Sequence, residues 1–343
     1  MLWRAKAGGN ELEHPEGPVV VVGGAGYIGS HTVRDLQKRD VEVVVFDDLS
    51  AGHREAVQVP FVEGSLGDRQ ALARLFAAHS PRSVIHFAAK ALVGESMENP
   101  AKYYRENVLY TFNLLEEMRA AGCVEIVFSS SCATYGDPVE IPMPDSHPQN
   151  PVNTYGRTKL HMEHMMADYG RAYGLRFAAL RYFNAAGAAL DSSLGEDHDP
   201  ETHLIPLVLQ VALGRRESIS IYGDDYDTPD GTCIRDYIHV NDLADAHLRA
   251  LRLLQDGTPR IACNLGTGTG YSVREIIEVA RRVTGHPIPE VVTERRAGDP
   301  PQLVSGGSVA RELLGWEARR ASLEEIVGDA WNFLQRKPDG FSE

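Results

Sequence analysis

A doubly wound parallel α/β sheet with a smaller, partly interleaved C-terminal domain is the fold this sequence predicts. Three observations predict it. Short apolar runs rich in β-branched residues alternate with helical stretches up to Arg181. A glycine-rich turn joins the first of these strands to the first helix. Beyond Asn184 the alternation fades into loops rich in Gly, Asp and Ser. Strands alternating with helices argue for a parallel sheet covered on both faces.

Pro18-Val19-Val20-Val21-Val22 has no polar position, as expected of a strand buried on both sides. A helix is expected at Ile28–Arg39, then a strand at Val41–Phe46. The pattern repeats with a helix at Arg69–Ala78, a strand at Ser83–Phe87 and a helix at Tyr103–Ala121. A strand at Glu125–Ser129, a helix at Thr154–Tyr173 and a strand at Arg176–Arg181 complete the regular part. Residues 185–203 and 223–232 read as loops, with a helix at Ile205–Leu213 between them. Asp236–Val240, Ala244–Leu254 and Ile261–Leu265 read as strand, helix and strand returning to the sheet. A helix at Val273–Thr284 and two short helices close the chain.

Composition narrows the function. The chain has 343 residues, 43% of them hydrophobic, enough for one large core or two moderate ones. Its formal net charge is −14, with no long run of Lys or Arg, which argues against a nucleic-acid partner. A small anionic substrate stays open, because a few placed Arg residues override the global sign. The four cysteines are scattered, with no CxxC pair and no Cys/His zinc spacing, so reduced thiols in the cytoplasm and no metal are expected. His161 and His164 share a helix face but lack a third ligand. No apolar run reaches the ~20 residues of a membrane span. Residues 1–17 carry charges and no signal-like stretch, and are expected to be a disordered extension.

Gly23-Gly24-Ala25-Gly26-Tyr27-Ile28-Gly29 follows a strand and opens a helix. Glycines allow the tight turn and a close backbone approach to a pyrophosphate, and the helix N-terminus supplies free N–H groups and positive dipole. Asp47 ends the next strand, 18 residues after Gly29. A carboxylate there accepts from ribose hydroxyls and repels a 2′-phosphate, favouring NAD over NADP. The fold is therefore Rossmann-type. The spacing Gly23-x-x-Gly26-x-x-Gly29 resembles the extended branch of the short-chain dehydrogenase/reductase superfamily.

Tyr155-Gly156-Arg157-Thr158-Lys159 puts a phenol and an ammonium on one helix face, four residues apart. A neighbouring ammonium is expected to lower the tyrosine's pKa from about 10, so that the pair moves protons near neutrality. Ser131 leaves the strand end where ligands bind in open α/β sheets. Its hydroxyl is expected to hydrogen-bond the substrate oxygen that exchanges a proton.

A wider set of blocks identifies the chain as resembling the UDP-glucose 4-epimerase (UDP-galactose 4-epimerase) family. They are GGAGYIGSHT (23–32), FVEG (61–64), VIHFAA (84–89), VGES (93–96), FSSSCATYG (128–136), YGRTK (155–159), LRYFN (180–184), RDYIHVNDLADAH (235–247) and NLGTGTGYSV (264–273). The resemblance implies a tightly held NAD, reduced and reoxidised within one turnover. Tyr155 would take the proton of the sugar 4-hydroxyl, and the 4-keto sugar would turn over before hydride and proton return. Residues 18–183 with 236–267 would then bind NAD, and 184–235 with 268–343 the UDP-sugar.

The same resemblance places Tyr27, Ile28, Asp47, Ser65, Leu66, Phe87, Ala88, Lys90, Asn107, Ser131, Tyr155, Lys159 and Phe183 at or near the NAD, beside the glycines 23, 26 and 29. Many members have Asp at position 65, facing the adenine amine; this chain has Ser65, with Asp68 nearby. Asn184 would contact the diphosphate. Arg235, Arg296 and Asp299 would contact phosphate and uridine ribose, a task for which the planar fork of Arg is suited. Ser220, Ile221 and Tyr222 would run beside the uracil, and His203 and Leu204 against the substrate. Leu303 stands where a bulky Tyr would narrow the pocket at the sugar's C2, so some tolerance of UDP-N-acetylhexosamines is expected. Family members are usually homodimers, through helices corresponding to 103–120 and 157–173. Rival readings are a 4-epimerase of a UDP-pentose or UDP-uronate, a 4,6-dehydratase, a simple oxidoreductase and a non-catalytic NAD-binding regulator. Ser131-Cys132 in place of the dehydratase acid pair speaks against elimination.

Overall fold

Thirteen strands run in chain order through the described residues. They are β1 (Val19–Val22), β2 (Val43–Asp47), β3 (Phe61–Glu63), β4 (Ser83–His86), β5 (Glu125–Ser131), β6 (Arg176–Tyr182), β7 (Asn184–Ala186), β8 (Ile219–Tyr222), β9 (Ile234–His239), β10 (Arg260–Leu265), β11 (Gly270–Ser272), β12 (Glu290–Thr293) and β13 (Gln302–Leu303). The computed structural model describes residues 14–296 and 299–341. Seven strands form one parallel sheet in the order β10-β6-β5-β4-β1-β2-β3. The order reverses between β1 and β4, which opens a crevice at their carboxyl ends.

Alternation along β1 explains why that strand has no polar residue. Val19 and Val21 enter the core on one face of the sheet, and Val20 and Val22 enter the core on the other. Both cores are closed by helices, so each side chain of a central strand is buried whichever way it points.

The structure corrects several expectations. The strand expected at Asp236–Val240 spans Ile234–His239 and does not return to the large sheet. It forms the middle of a second sheet, β11-β9-β13, with β7 also pairing with β9. The place beside β6 is taken by β10. An apolar run shows that a strand is buried but not which sheet it joins. The short strands β3, β7, β8, β11, β12 and β13 have no periodicity long enough to read. The helix expected at Tyr103–Ala121 starts with a π-helical stretch, Tyr104–Leu109, before the α-helix Tyr110–Ala121. Of the two C-terminal helices only Val309–Leu314 is short; Leu323–Arg336 has 14 residues. Residues 1–13 of the expected disordered extension lie outside the described residues. Its last residues are pinned: the Glu16 N–H donates to Gln255 Oε1, and Gln255 Nε2 donates to the Glu16 carbonyl, both at 2.7 Å.

One buried ion pair fixes three of these elements together. Arg181 on β6 donates through Nε and Nη2 to the two oxygens of Glu163 at 2.9 and 2.6 Å. Both side chains are 5% exposed. Glu163 lies on the helix Thr154–Tyr173, and its Oε1 also accepts from Ser130 Oγ on β5 at 2.5 Å. Arg181 holds the Glu163 carboxyl below the usual carboxylate range, against the opposing effect of burial, the largest influence on it. Removing one partner leaves an uncompensated buried charge, which costs about 3–5 kcal/mol. Glu163→Ala is therefore expected to lower unfolding free energy by about that amount. The double replacement Glu163→Leu/Arg181→Leu is expected to lose less. Urea denaturation checks both, and equal losses would contradict the account.

Candidate active site

The crevice is built by backbones that approach closely. Gly23 leaves β1 with φ of 76°, and a Cβ on it would stand 2.5 Å from the Ala88 nitrogen after β4. Phe87 and Ala88 both donate their N–H to the Val22 carbonyl, at 2.8 and 3.2 Å. A Cβ on Gly29 would lie 2.2 Å from the Gly23 carbonyl oxygen, so the helix Tyr27–Lys38 packs directly on the turn. Gly26 is its N-cap, with no side-chain cap and no acid in the first turn. The first-turn N–H groups and the dipole are thus left for an anion.

The walls of this crevice carry the remaining dinucleotide positions. Asp47 ends β2, and its carboxylate accepts from the N–H of Ala25 and of Leu49, each at 2.9 Å. It braces the glycine turn while keeping lone pairs for a ribose. Lys90 reaches from the β4 side to Ser50 Oγ at 3.0 Å, across the same face. The Leu66 side chain and the partly buried Ile28 and Phe87 belong to the two cores, so they shape the walls by bulk. Ser65 Oγ accepts from the Gly67 N–H. Asp68 caps the helix Arg69–His79 by accepting from Gln70 and Ala71, so it does not substitute for a carboxylate at position 65. The glycine cradle, the uncapped helix start and Asp47 together fit a nicotinamide dinucleotide without a 2′-phosphate.

Asn107, which the resemblance places at or near the NAD, also makes contacts within the protein. It lies in the π-helical stretch and is fully buried. Its Oδ1 accepts from the Lys90 N–H at 2.8 Å, and its Nδ2 donates to the Lys90 carbonyl and to Thr158 Oγ1, both at 3.0 Å. Thr158 donates in turn to the Tyr155 carbonyl. Asn107 therefore ties the Lys90 loop to the helix that carries Tyr155.

Tyr155, Lys159 and Ser131 do converge. The helix that carries the first two is capped by Asn153, whose Oδ1 accepts from the Gly156 N–H at 2.8 Å. Gly156 is required by approach: a Cβ there would be 2.2 Å from the Ala133 carbonyl oxygen. Ser96, within the VGES block, accepts from the Tyr155 N–H at 3.1 Å and fixes the helix start from a third side. Position in a shared block was the only signal for Ser96 and Thr158. Lys159 is buried, with Nζ donating to the Ser129 carbonyl at 2.7 Å and lying 5.8 Å from the Tyr155 ring centre.

The electrostatics correct a simple expectation. Burial pushes the Tyr155 phenol up to about 12, with Ser131 opposing the rise by hydrogen bonding. Burial pulls Lys159 down to about 7, against the field of Glu163. The lysine does not bring the tyrosine's own pKa below 10 here. Of the two groups, Lys159 is the one that gives up its proton near neutrality. Cys132, next to Ser131, is a thiol pushed up to about 12 by burial, which removes it as a nucleophile.

The substrate-side positions lie on the second sheet and its neighbours. Asn184 begins β7, opposite Tyr237 of β9. Arg235 on β9 donates to Asp299 Oδ1 at 3.0 Å, and Leu303 of β13 sits opposite Arg235 in register. Leu303 packs against the cluster of Cys132, Tyr135, Met143 and Phe183, which joins this wall to the Ser131 loop. Arg296 stacks over the Tyr222 ring at 3.8 Å. On β8, Ser220 and Tyr222 point away from the core, while Ile221 is buried in it. Any contact from Ile221 to a base would come from its backbone. Leu204 packs on the same core. His203 is turned toward Glu196 and Glu201, at 2.8 and 3.1 Å.

A sheet with this reversal, a glycine cradle and a Tyr/Lys/Ser centre defines the class of dinucleotide-dependent enzymes. Residues 19–266 match the model of the NAD dependent epimerase/dehydratase family, and the chain belongs to that family. Among similar proteins is a UDP-glucose 4-epimerase of Halalkalibacterium halodurans, 52% identical over 94% of this chain and 97% of that protein. The crystal structure of UDP-glucose 4-epimerase from Brucella ovis in complex with NAD is 52% identical, with a TM-score of 0.90 over 92% of this chain and 98% of that one. The UDP-Glc/GlcNAc 4-epimerase of Campylobacter jejuni is 41% identical, with a TM-score of 0.81 over 93% of this chain and 99% of that one.

Proposed function

We infer that this chain is a UDP-glucose 4-epimerase, an NAD-dependent isomerase that interconverts UDP-glucose and UDP-galactose through a 4-keto sugar. The observation that carries the inference is the convergence of Tyr155, Lys159 and Ser131 beside the glycine cradle, in a chain about half identical to UDP-glucose 4-epimerases over nearly its whole length. NAD, when bound, accepts and returns the hydride of the sugar C4. The phenol oxygen of Tyr155 exchanges the proton of the 4-hydroxyl, and Ser131 orients that hydroxyl. Arg235, Arg296 and Asn184 hold the nucleotide diphosphate, so the sugar alone is free to turn. Residues 18–183 with the helix Val240–Gln255 and β10 serve the dinucleotide. The second sheet, with β8, β12 and the C-terminal helices, serves the UDP-sugar.

The outward faces of the helical stretches 104–121 and 154–173 expose Tyr104, Leu109, Phe112 and Tyr173. An apolar face of that kind fits a symmetric homodimer. Among the described residues no helix is long and apolar enough to cross a membrane.

Incubated with UDP-galactose and no added dinucleotide, the pure protein is expected to yield UDP-glucose. Tyr155→Phe should lose about 100-fold or more of the rate while still binding NAD. An unchanged rate in that variant would sink the assignment. Wild-type turnover is expected to rise with pH and level off above about 7, where Lys159 has given up its proton. Lys159→Met leaves only a phenol held near 12, so its rate should be low at pH 7 and climb about tenfold per unit toward pH 10. A flat alkaline profile in that variant would contradict this assignment of the two groups.

Leu303 supports tolerance of a bulkier C2 substituent. UDP-N-acetylglucosamine is expected to be turned over within about a thousandfold of UDP-glucose, and Leu303→Tyr should widen that gap. Product analysis for both sugars decides it; a gap beyond a thousandfold in the wild type removes the idea.

A further inference from the structure

The loop before the helix Leu204–Ala212 brings together four side chains of metal-ligand type, Glu196, His198, Glu201 and His203. Their ligating atoms all lie within 4.8 Å of one another, the one such group among the described residues. His203 Nδ1 is 2.8 Å from Glu196 and 3.1 Å from Glu201, and His198 Nδ1 is 3.4 Å from Glu196 and 3.7 Å from Glu201. A tetrahedron with metal–ligand bonds of about 2.0–2.2 Å has edges of roughly 3.3–3.6 Å, within the 4.8 Å spread of one ligating atom from each residue.

We propose that these four residues form a structural site for a zinc-class divalent cation, bound by two imidazole Nδ1 atoms and two carboxylate oxygens. Two imidazoles and two carboxylates are the donor set that such a borderline cation takes, and four protein ligands leave no open position for catalysis. A second observation points to a ligand. His198 Nδ1 is itself shielded from solvent, although the side chain is 27% exposed, and it makes no hydrogen bond of good geometry to either carboxylate that it faces. Its distances of 3.4 and 3.7 Å are long for an ion-paired hydrogen bond and right for two ligands on one cation.

Burial and charge agree with this. The carboxylate side chains are only 7% and 6% exposed, and two adjacent buried anions call for compensating positive charge. A dication supplies the same charge as two Nδ1 protons, so metal replaces protons with no change in net charge. Glu201 is already aimed, since its Oε1 accepts from the N–H of Thr202 and His203 at 2.6 and 2.7 Å. The sequence spacing Glu-x-His-x-x-Glu-x-His interleaves acids with histidines, which a search for Cys/His pairs passes over.

The site would clip the loop between two parts of the active centre. On one side Tyr27 of the glycine turn donates to the Gly187 carbonyl at 2.6 Å, and its ring lies edge-on to His198 at 6.4 Å. On the other side His203 and Leu204 begin the helix at the positions assigned to the substrate. The cation would therefore set loop geometry, and its binding stands independently of the epimerase reading.

The experiment uses the untagged full chain, stripped by chelation and titrated with Zn²⁺ and with Co²⁺. Expected are one saturable equivalent per chain in calorimetry, a raised Tm with either ion, and the intense visible absorption of tetrahedral Co²⁺. His198→Asn and, separately, Glu196→Gln should each weaken binding by at least about a hundredfold. The surface pair variant His161→Asn/His164→Asn should bind as the wild type does. Absence of a saturable equivalent would overturn the proposal and leave the four residues as a protonated ion-pair cluster. So would binding that survives both loop variants, or that is lost in the surface variant.

Discussion

The buried pair of Arg181 and Glu163 holds the rest of the catalytic region in register. It joins β6 to the helix Thr154–Tyr173, and through Ser130 it reaches the end of β5. Lys159 lies one turn before Glu163, and Ser131 follows Ser130. Proton-transfer groups from two elements are thus referred to one rigid contact. The Arg181 Nη1 also reaches the Tyr135 hydroxyl, which donates to Asn264 on β10. The network is fully hydrogen-bonded, which is what makes buried charge tolerable.

Close backbone approach is the second constraint. Gly23 against Ala88, Gly29 against Gly23 and Gly156 against Ala133 each leave no room for a Cβ. The first two open the crevice for a pyrophosphate. The third lets the helix Thr154–Tyr173 lie on the serine loop, which brings Tyr155 close to Ser131. Asp47, Asn107 and Ser96 then brace these contacts from within, each using its side chain on backbone groups.

Burial, more than the charge of a neighbour, sets the protonation of the site. It raises Tyr155 and lowers Lys159. The same burial keeps Cys132 an inert thiol beside the reacting groups.

Sequence periodicity alone determined the strands of the large sheet apart from β3, because those strands are buried on both faces and each contains a continuous apolar run, with polar residues at or near the ends. The glycine spacing, Asp47 and the Tyr155/Lys159 pair were legible for the same kind of reason: the chemistry demands those residue types at fixed local offsets. What stayed hidden was non-local. That β9 leaves the large sheet, that Asn107 bridges the Lys90 loop to the helix Thr154–Tyr173, and that Ile221 faces a core all depend on which elements meet. The Glu196–His203 grouping depends on how a loop folds back on itself. The directions of the Tyr155 and Lys159 shifts depend on how much water the packed elements exclude. Local offsets are written in the chain, whereas partners and dielectric surroundings exist only after distant segments pack.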